Sequence, residues 1–137
     1  MLKILIAEDD RELRQLFSHV LNRHGYTVTG VSNGQEALDA MDADFYDMII
    51  SDIMMPVMDG YELVRQLRDV GNTTPVLMIT AKDAFDDMRL GFQSGVDDYM
   101  VKPINVNEMV LRVQALLRRA QMINDRRQAR GDTVMEC

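Results

Sequence analysis

Four side chains able to handle a metal ion and a phosphoryl group stand where apolar runs end. Asp52 follows Met48-Ile49-Ile50-Ser51 and precedes a loop marked by Pro56 and Gly60. Glu8 and Asp9 follow Ile4-Leu5-Ile6-Ala7, and Lys102 follows Asp98-Tyr99-Met100-Val101, just before Pro103. Open α/β sheets place their chemistry at the carboxyl ends of their strands. These positions therefore predict a single site, provided the strands lie side by side. Three carboxylates drawn together repel one another: a like-charge pair at about 4 Å costs on the order of 4 kcal/mol at an effective dielectric near 20. Such a cluster takes up a proton or holds a cation. Oxygen ligands with no His or Cys among them suit a hard ion, Mg²⁺ or Mn²⁺, rather than zinc. Lys102 supplies a point charge for phosphate oxygens. One carboxylate, already ionised at neutral pH, can then act as the nucleophile and form an acyl phosphate. Catalysis of that kind is mostly positioning and charge stabilisation. No GxxxxGK[ST] or GxGxxG is present to offer another way of holding phosphate.

The elements that must carry these residues alternate along the chain. Leu2–Ala7 is a short apolar run fit for a buried strand. Asp10–His24 has Leu13, Leu16, Phe17, Val20 and Leu21 at helical spacing, with Asp10 as N-cap and Gly25 as stop. Tyr26–Val31 predicts a less buried strand, and Gln35–Ala43 a helix. Asp47–Ser51 predicts the third strand, and Asp59–Val70 a helix stopped by Gly71. Pro75–Thr80 predicts the fourth strand, opened by proline where a missing N–H costs least. A fourth helix is predicted over Asp83–Ser94 and a fifth strand over Asp98–Val101. A last helix starts near Asn105, with Met109, Val110, Val113, Leu116, Leu117 and Ala120 on one face. Strict alternation implies an α/β fold: five parallel strands with helices on both faces. Past Ala120 the apolar face fades, and Asn124–Asp132 predicts a frayed helix end running into a polar linker. The domain accordingly spans residues 1–121, with 122–137 an extension of the last helix and a tail.

The chain has 137 residues, 47% hydrophobic and 27% charged, as expected of one ordinary globular domain. No apolar run approaches the roughly 18 residues needed to cross a bilayer, and the amino terminus lacks the pattern of a secretory signal. A single cysteine, Cys137, excludes an internal disulfide framework and agrees with a reducing cytoplasm. The net charge of −7 is uneven: residues 1–117 carry 10 Lys/Arg against 19 Asp/Glu, and residues 118–137 carry 5 against 3. An acidic body argues against direct, sequence-independent binding to nucleic-acid backbones.

Taken together, Glu8-Asp9, Asp52 with Met54-Met55-Pro56-Val57-Met58-Asp59-Gly60, Ile79-Thr80-Ala81, and Asp97-Asp98-Tyr99 through Lys102-Pro103 resemble a response-regulator receiver domain. The resemblance covers residues 1 to about 120, with every landmark in order. It implies a flavodoxin-like (βα)5 sheet of strand order 2-1-3-4-5, the order general knowledge of doubly wound folds attaches to receivers. It also implies a phosphoacceptor rather than a dedicated enzyme. Asp52 would take phosphate from the phosphohistidine of a sensor histidine kinase. Mg²⁺ would be bound by Asp9 and Asp52, by Glu8 through water, and by the Met54 backbone carbonyl. Lys102, the Thr80 hydroxyl and the Ala81 backbone N–H would contact phosphoryl oxygens, and Tyr99 would swing inward as Thr80 moves. The Lys102-Pro103 bond would be cis. Met54, two residues past the acceptor, has a thioether that cannot orient a hydrolytic water, which suggests slow self-dephosphorylation.

The stretch Asn107–Arg119 is similar to the last helix of winged-helix transcriptional regulators of the OmpR/PhoB type. The similarity implies a homodimer formed on phosphorylation through the fourth helix, fifth strand and last helix, with Asp97, Asp98, Glu108 and Arg112 at its face. DNA would be contacted only through an output domain not present in these residues, and no membrane contact is implied. Two other readings remain open: a free-standing receiver acting by protein–protein contact, and a Mg²⁺-dependent phosphatase with an aspartyl nucleophile. Such phosphatases usually carry a second acid two residues after the nucleophile, where this chain has Met54.

Overall fold

In the computed structural model five parallel strands form one sheet of order β2-β1-β3-β4-β5. The structure describes residues 1–81 and 95–136, with side chains described through Ile123 and at Asp125. The helix predicted over Asp83–Ser94 lies outside the described residues. The strands are β1 (Lys3–Ala7), β2 (Thr27–Val31), β3 (Met48–Asp52), β4 (Val76–Thr80) and β5 (Asp98–Val101). The helices among the described residues are α1 (Arg11–Arg23), α2 (Gly34–Ala43), α3 (Gly60–Asp69) and α4 (Val106–Glu136).

Strand period 2 sorts the core into two layers. Ile4, Ile6, Met48, Ile50, Leu77, Ile79 and Met100 face α1 and α4, meeting Phe17, Leu21, Met109, Val113 and Leu116. Leu5, Ala7, Ile49, Val76, Met78 and Tyr99 face the other way, onto Ala37, Leu63, Val64 and Leu67 of α2 and α3. β1, β3 and β4 are therefore buried on both sides, which explains their unbroken apolar runs. β2 sits at the edge and is only partly covered, in keeping with its Thr27/Thr29 alternation.

Each helix among the described residues begins on a side-chain cap. Asp10 accepts from the N–H groups of Glu12 and Leu13, Asn33 from Glu36, Asp59 from Glu62, and Asn105 from Asn107 and Glu108. Each such cap is worth about 1 kcal/mol. α1 and α3 end before Gly25 and Gly71, whose φ of 92° and 80° suit residues without a Cβ. α4 continues as helix to Glu136, through the stretch predicted to fray into a linker. Gln, Arg and Ala in that stretch are good helix formers, and Gln121 donates to Asp125 one turn on. The helical backbone of α4 thus extends past the point where the apolar face fades.

The loop from β3 to α3 is tightly held. The Gly60 N–H donates to the Ile53 carbonyl at 2.8 Å, and the Gly34 N–H to the Met58 carbonyl at 3.0 Å. At its tip the Met58 N–H donates to the Pro56 carbonyl at 2.7 Å, closing a γ-turn centred on Val57 with φ 68°. This is a strained conformation for a β-branched residue. A Cβ on Gly60 would lie 2.4 Å from the Asp52 carbonyl oxygen and 2.8 Å from the Met78 sulfur. Two substitutions in this loop should have opposite signs. Chemical denaturation of Val57→Gly should show stability raised by about 1 kcal/mol through relief of the turn, whereas Gly60→Ala should lose about 3 kcal/mol to overpacking.

Candidate functional site

The register brings the predicted residues to one edge of the sheet. Ala7 pairs with Ser51, Asp52 with Ile79, and Thr80 with Val101, so the carboxyl ends of β1, β3, β4 and β5 lie in line. Glu8 and Asp9 step off β1, Asp52 is the last residue of β3, Thr80 the last of β4, and Lys102 follows β5. Lys102 reaches across the β4 end, placing Nζ 2.9 Å from Asp52 Oδ2 and 3.3 Å from Glu8 Oε1. The Lys102-Pro103 peptide is cis. Glu8 and Asp52 are almost fully buried, while Asp9 lies at the mouth. One ligand oxygen each from Glu8, Asp9 and Asp52 falls within 4.8 Å of the others.

Burial of this cluster has an electrostatic consequence. Glu8 is pushed up to about 8, first by burial and then by its contact with Asp52, with Lys102 opposing the shift only in part. Burial would lower the Lys102 pKa, but its bonds to Asp52 and Glu8 outweigh that and hold it above the ordinary lysine value. Glu8 Oε2 is buried and has no hydrogen-bond partner among the described residues. A buried carboxylate oxygen without a donor is costly and suits a bound cation. The donor set, oxygen only, fits a hard divalent ion.

The remaining predicted residues are distributed as follows. Thr80 is fully buried, its hydroxyl donating to the Ala81 carbonyl at 3.2 Å. Met54 is 69% exposed, its side chain on the outside of the loop. Tyr99 is buried against the α3 layer, with its hydroxyl 3.5 Å from that of Tyr61. Asp98, Glu108 and Arg112 form one network. Arg112 Nη1 bonds both Asp98 oxygens at 2.9 and 3.0 Å, and Nε bonds Glu108 at 3.0 Å. Asp97 belongs to a different group: its Oδ2 accepts from the Val76 N–H at 2.8 Å and from Arg68 at 3.2 Å. Arg68 spends its other N–H donors on the carbonyls of Asn72, Thr74 and Gly95.

Sequence reasoning passed over two side chains beside the site. Tyr61, in the first turn of α3, meets Tyr99 through contacts that no short motif announces. Arg14, one turn into α1, donates to the Glu8 carbonyl at 2.7 Å. Its only sequence signal was the side-chain-free Gly30 facing it, which reads equally as a strand glycine. A cleft of about 820 Å³ lined by Tyr26, Phe45, Tyr46, Thr74, Leu117 and Arg118 opens at the amino ends of the strands, away from Glu8, Asp9 and Asp52.

A doubly wound sheet with three acids and a lysine on its carboxyl edge defines the class of receiver-like phosphate-handling domains. The chain belongs to the response regulator receiver domain family, whose model matches residues 4–114. Among curated relatives, response regulator MprA of Mycobacterium ulcerans (strain Agy99) is 40% identical over 123 residues, which is 90% of this chain and 53% of that protein. Response regulator MprA of Mycolicibacterium vanbaalenii is 41% identical over 117 residues, 85% of this chain and 51% of the relative. The chain thus spans about half the length of the curated relatives it matches. The solved receiver domain of the Francisella response regulator 1452 superposes with a TM-score of 0.82 at 35% identity, covering 87% of this chain and 98% of that one. The chemotaxis response regulator CheY4 of Vibrio cholerae gives 0.79 at 35% identity, covering 85% and 98%. The chain is a receiver domain of a two-component response regulator, and it carries an acidic cluster able to hold a metal. No helix among the described residues is long and apolar enough to cross a membrane.

The raised Glu8 pKa sets a pH dependence. A carboxyl that binds its proton more tightly when folded favours the fold fully below its unfolded value near 4.5, and that contribution is lost as pH rises through about 8. The melting temperature of the metal-free protein should therefore fall between pH 5.5 and 8.5. The rise on adding MgCl₂ should grow over the same interval, because the cation competes with the Glu8 proton. Glu8→Gln should flatten both trends in a thermal-melt series.

Proposed function

We propose that Asp52 is the phosphoacceptor and that its phosphorylation by a sensor histidine kinase switches an output carried elsewhere in a longer regulator. The observation that carries this is the Lys102 ammonium 2.9 Å from Asp52 Oδ2, inside a buried acid cluster. Glu8, Asp9, Asp52 and the Met54 carbonyl would hold Mg²⁺ or Mn²⁺. The ion, when bound, would neutralise charge on the phosphoryl oxygens.

Asp52 provides a carboxylate oxygen at the end of a doubly covered strand, so little motion is needed to bring it in line with an incoming phosphorus. That oxygen forms the new P–O bond as the bond to the kinase histidine breaks. Before transfer Lys102 bonds the acceptor. Afterwards its ammonium can follow the new negative charge on the phosphoryl group, and the Ala81 N–H and Thr80 hydroxyl can bond the remaining oxygens. Thr80 now spends its hydroxyl on a carbonyl beside it, so turning toward the phosphoryl group changes the packing at the end of β4. Tyr99, on the neighbouring strand, would respond to that change.

The response would spread to β5 and the start of α4, where Asp98, Glu108 and Arg112 form a surface network suited to a phosphorylation-dependent homodimer. Asp97, held by Arg68 and the Val76 N–H, would join such an interface only by leaving those partners. The share of each relative that lies outside the match supports an attached output domain, of winged-helix DNA-binding type by the resemblance of the last helix. Cytoplasmic residence follows from this role.

Acetyl phosphate with MgCl₂ should add one phosphoryl mass to the intact protein and none to Asp52→Asn, read by mass spectrometry. A wild-type protein that gains no such mass would end this reading. In the same assay Met54→Asn should lose the phosphoryl group severalfold faster than wild type, because an amide at the mouth can orient water where a thioether cannot. An unchanged or longer lifetime would remove Met54 from the control of dephosphorylation.

A further inference from the structure

We infer that Arg14 is a positioning residue for the acidic site, holding the Glu8–Asp10 backbone so that the Asp9 carboxylate is aimed at the metal. This rests on the metal-binding part of the function proposed above. The Arg14 side chain holds the residue before Asp9, and its main chain joins the residue after it into α1. Its guanidinium Nη1 donates to the Glu8 carbonyl at 2.7 Å, and its backbone N–H donates to the Asp10 carbonyl at 2.9 Å. The Glu8 N–H is fixed on the Val31 carbonyl at 3.0 Å, and the Asp10 carboxylate caps α1. Asp9 itself is exposed, and its carboxylate makes no hydrogen bond or ion pair among the described residues. Its direction is therefore set by the backbone on either side: the Asp10 carbonyl is held by the first helical bond of α1, and the Glu8 carbonyl by the Arg14 side chain.

The route that Arg14 takes to Glu8 is built into the fold. A Cβ added at Gly30 would lie 3.1 Å from both Cγ and Cδ of Arg14, so the stem lies flat on the only residue of β2 without a side chain. Gly30 is paired with Ile6, two residues before Glu8. A side chain at position 30 would require the Arg14 stem to shift by a few tenths of an ångström, which disturbs the reach of the guanidinium to the Glu8 carbonyl.

The sign of the effect separates positioning from charge. A cation beside the acids repels Mg²⁺, so if Arg14 acted only through its charge, removing that charge would tighten metal binding. If it positions Asp9, removing it weakens binding. Partners outside the ligand shell commonly contribute 10-fold or more to metal affinity.

The test is a Mg²⁺ titration followed by amide NMR shifts on wild type, Arg14→Met, Arg14→Lys and Gly30→Ala, with dispersed spectra and melting temperature as the check on folding. Arg14→Met should weaken Mg²⁺ binding about 10-fold. Lysine, which keeps the charge but not the planar fork, should recover only part of that. Gly30→Ala, with Arg14 intact, should weaken binding by a smaller factor of about 2 to 5. Unchanged or tighter binding in Arg14→Met overturns the inference while leaving the receiver reading in place. If Arg14→Met fails to fold, unchanged affinity in Gly30→Ala overturns it instead. A wild-type protein whose amides do not respond to Mg²⁺ removes the metal site, and both readings fall together.

Discussion

Negative charge held out of water next to an ammonium group is the constraint around which the rest of this molecule is arranged. Glu8 and Asp52 are nearly inaccessible, and the ordinary response of such a pair is to take up a proton. Here burial and the neighbouring Asp52 raise the Glu8 pKa, while Lys102 bonds Asp52. Breaking a buried pair by removing one partner typically costs several kcal/mol, so the cluster strains the fold unless its partners are held accurately in place. That accuracy comes from the sheet. β1, β3 and β4 are each covered on both faces, so their ends have little freedom, and the parallel register puts those ends on one line.

The loops that complete the site are fixed by backbone hydrogen bonds and by absent side chains. Gly60 lets α3 begin against the Asp52 carbonyl, Gly34 admits the Met58 carbonyl, and Gly30 admits the Arg14 stem. Val57 bears the strain left when this loop is closed in so few residues. Strain of this kind persists where surrounding contacts over-determine the backbone, and the bonds at Ile53–Gly60 and Gly34–Met58 do so here. The result is a stiff rim around an acidic pocket, with Asp9 and Met54 exposed at its mouth.

How much of this was legible depends on the kind of signal. Asp52 could be placed because an apolar run stops at it and a proline follows. Glu8, Asp9 and Lys102 were placed by the same reasoning, and the alternation of elements dictated a parallel sheet on which all four converge. The strand order itself came from resemblance, since alternation alone permits others. Contacts between residues distant in sequence left no mark on the chain: nothing near Tyr61 announces Tyr99, and nothing near Arg14 announces the carbonyl it holds. Asp97 and Asp98 are adjacent acids with the same look, yet one turns to Arg68 and the other to Arg112. The helix of α4 continues to Glu136, and apolar periodicity, which reports burial, gives no measure of how far such a helix extends.

The Arg68 cluster gives the sheet two unlike ends. At the amino ends of β4 and β5, one guanidinium makes five hydrogen bonds, joining the α3 terminus, the turn before β4 and the turn before β5. A lysine, with three donors on a single nitrogen, could not satisfy those carbonyls together. That end behaves as a clamped base. The opposite tips of the same strands carry Thr80 and Lys102, so the acidic site sits at the ends of β4 and β5 that this clamp leaves untied.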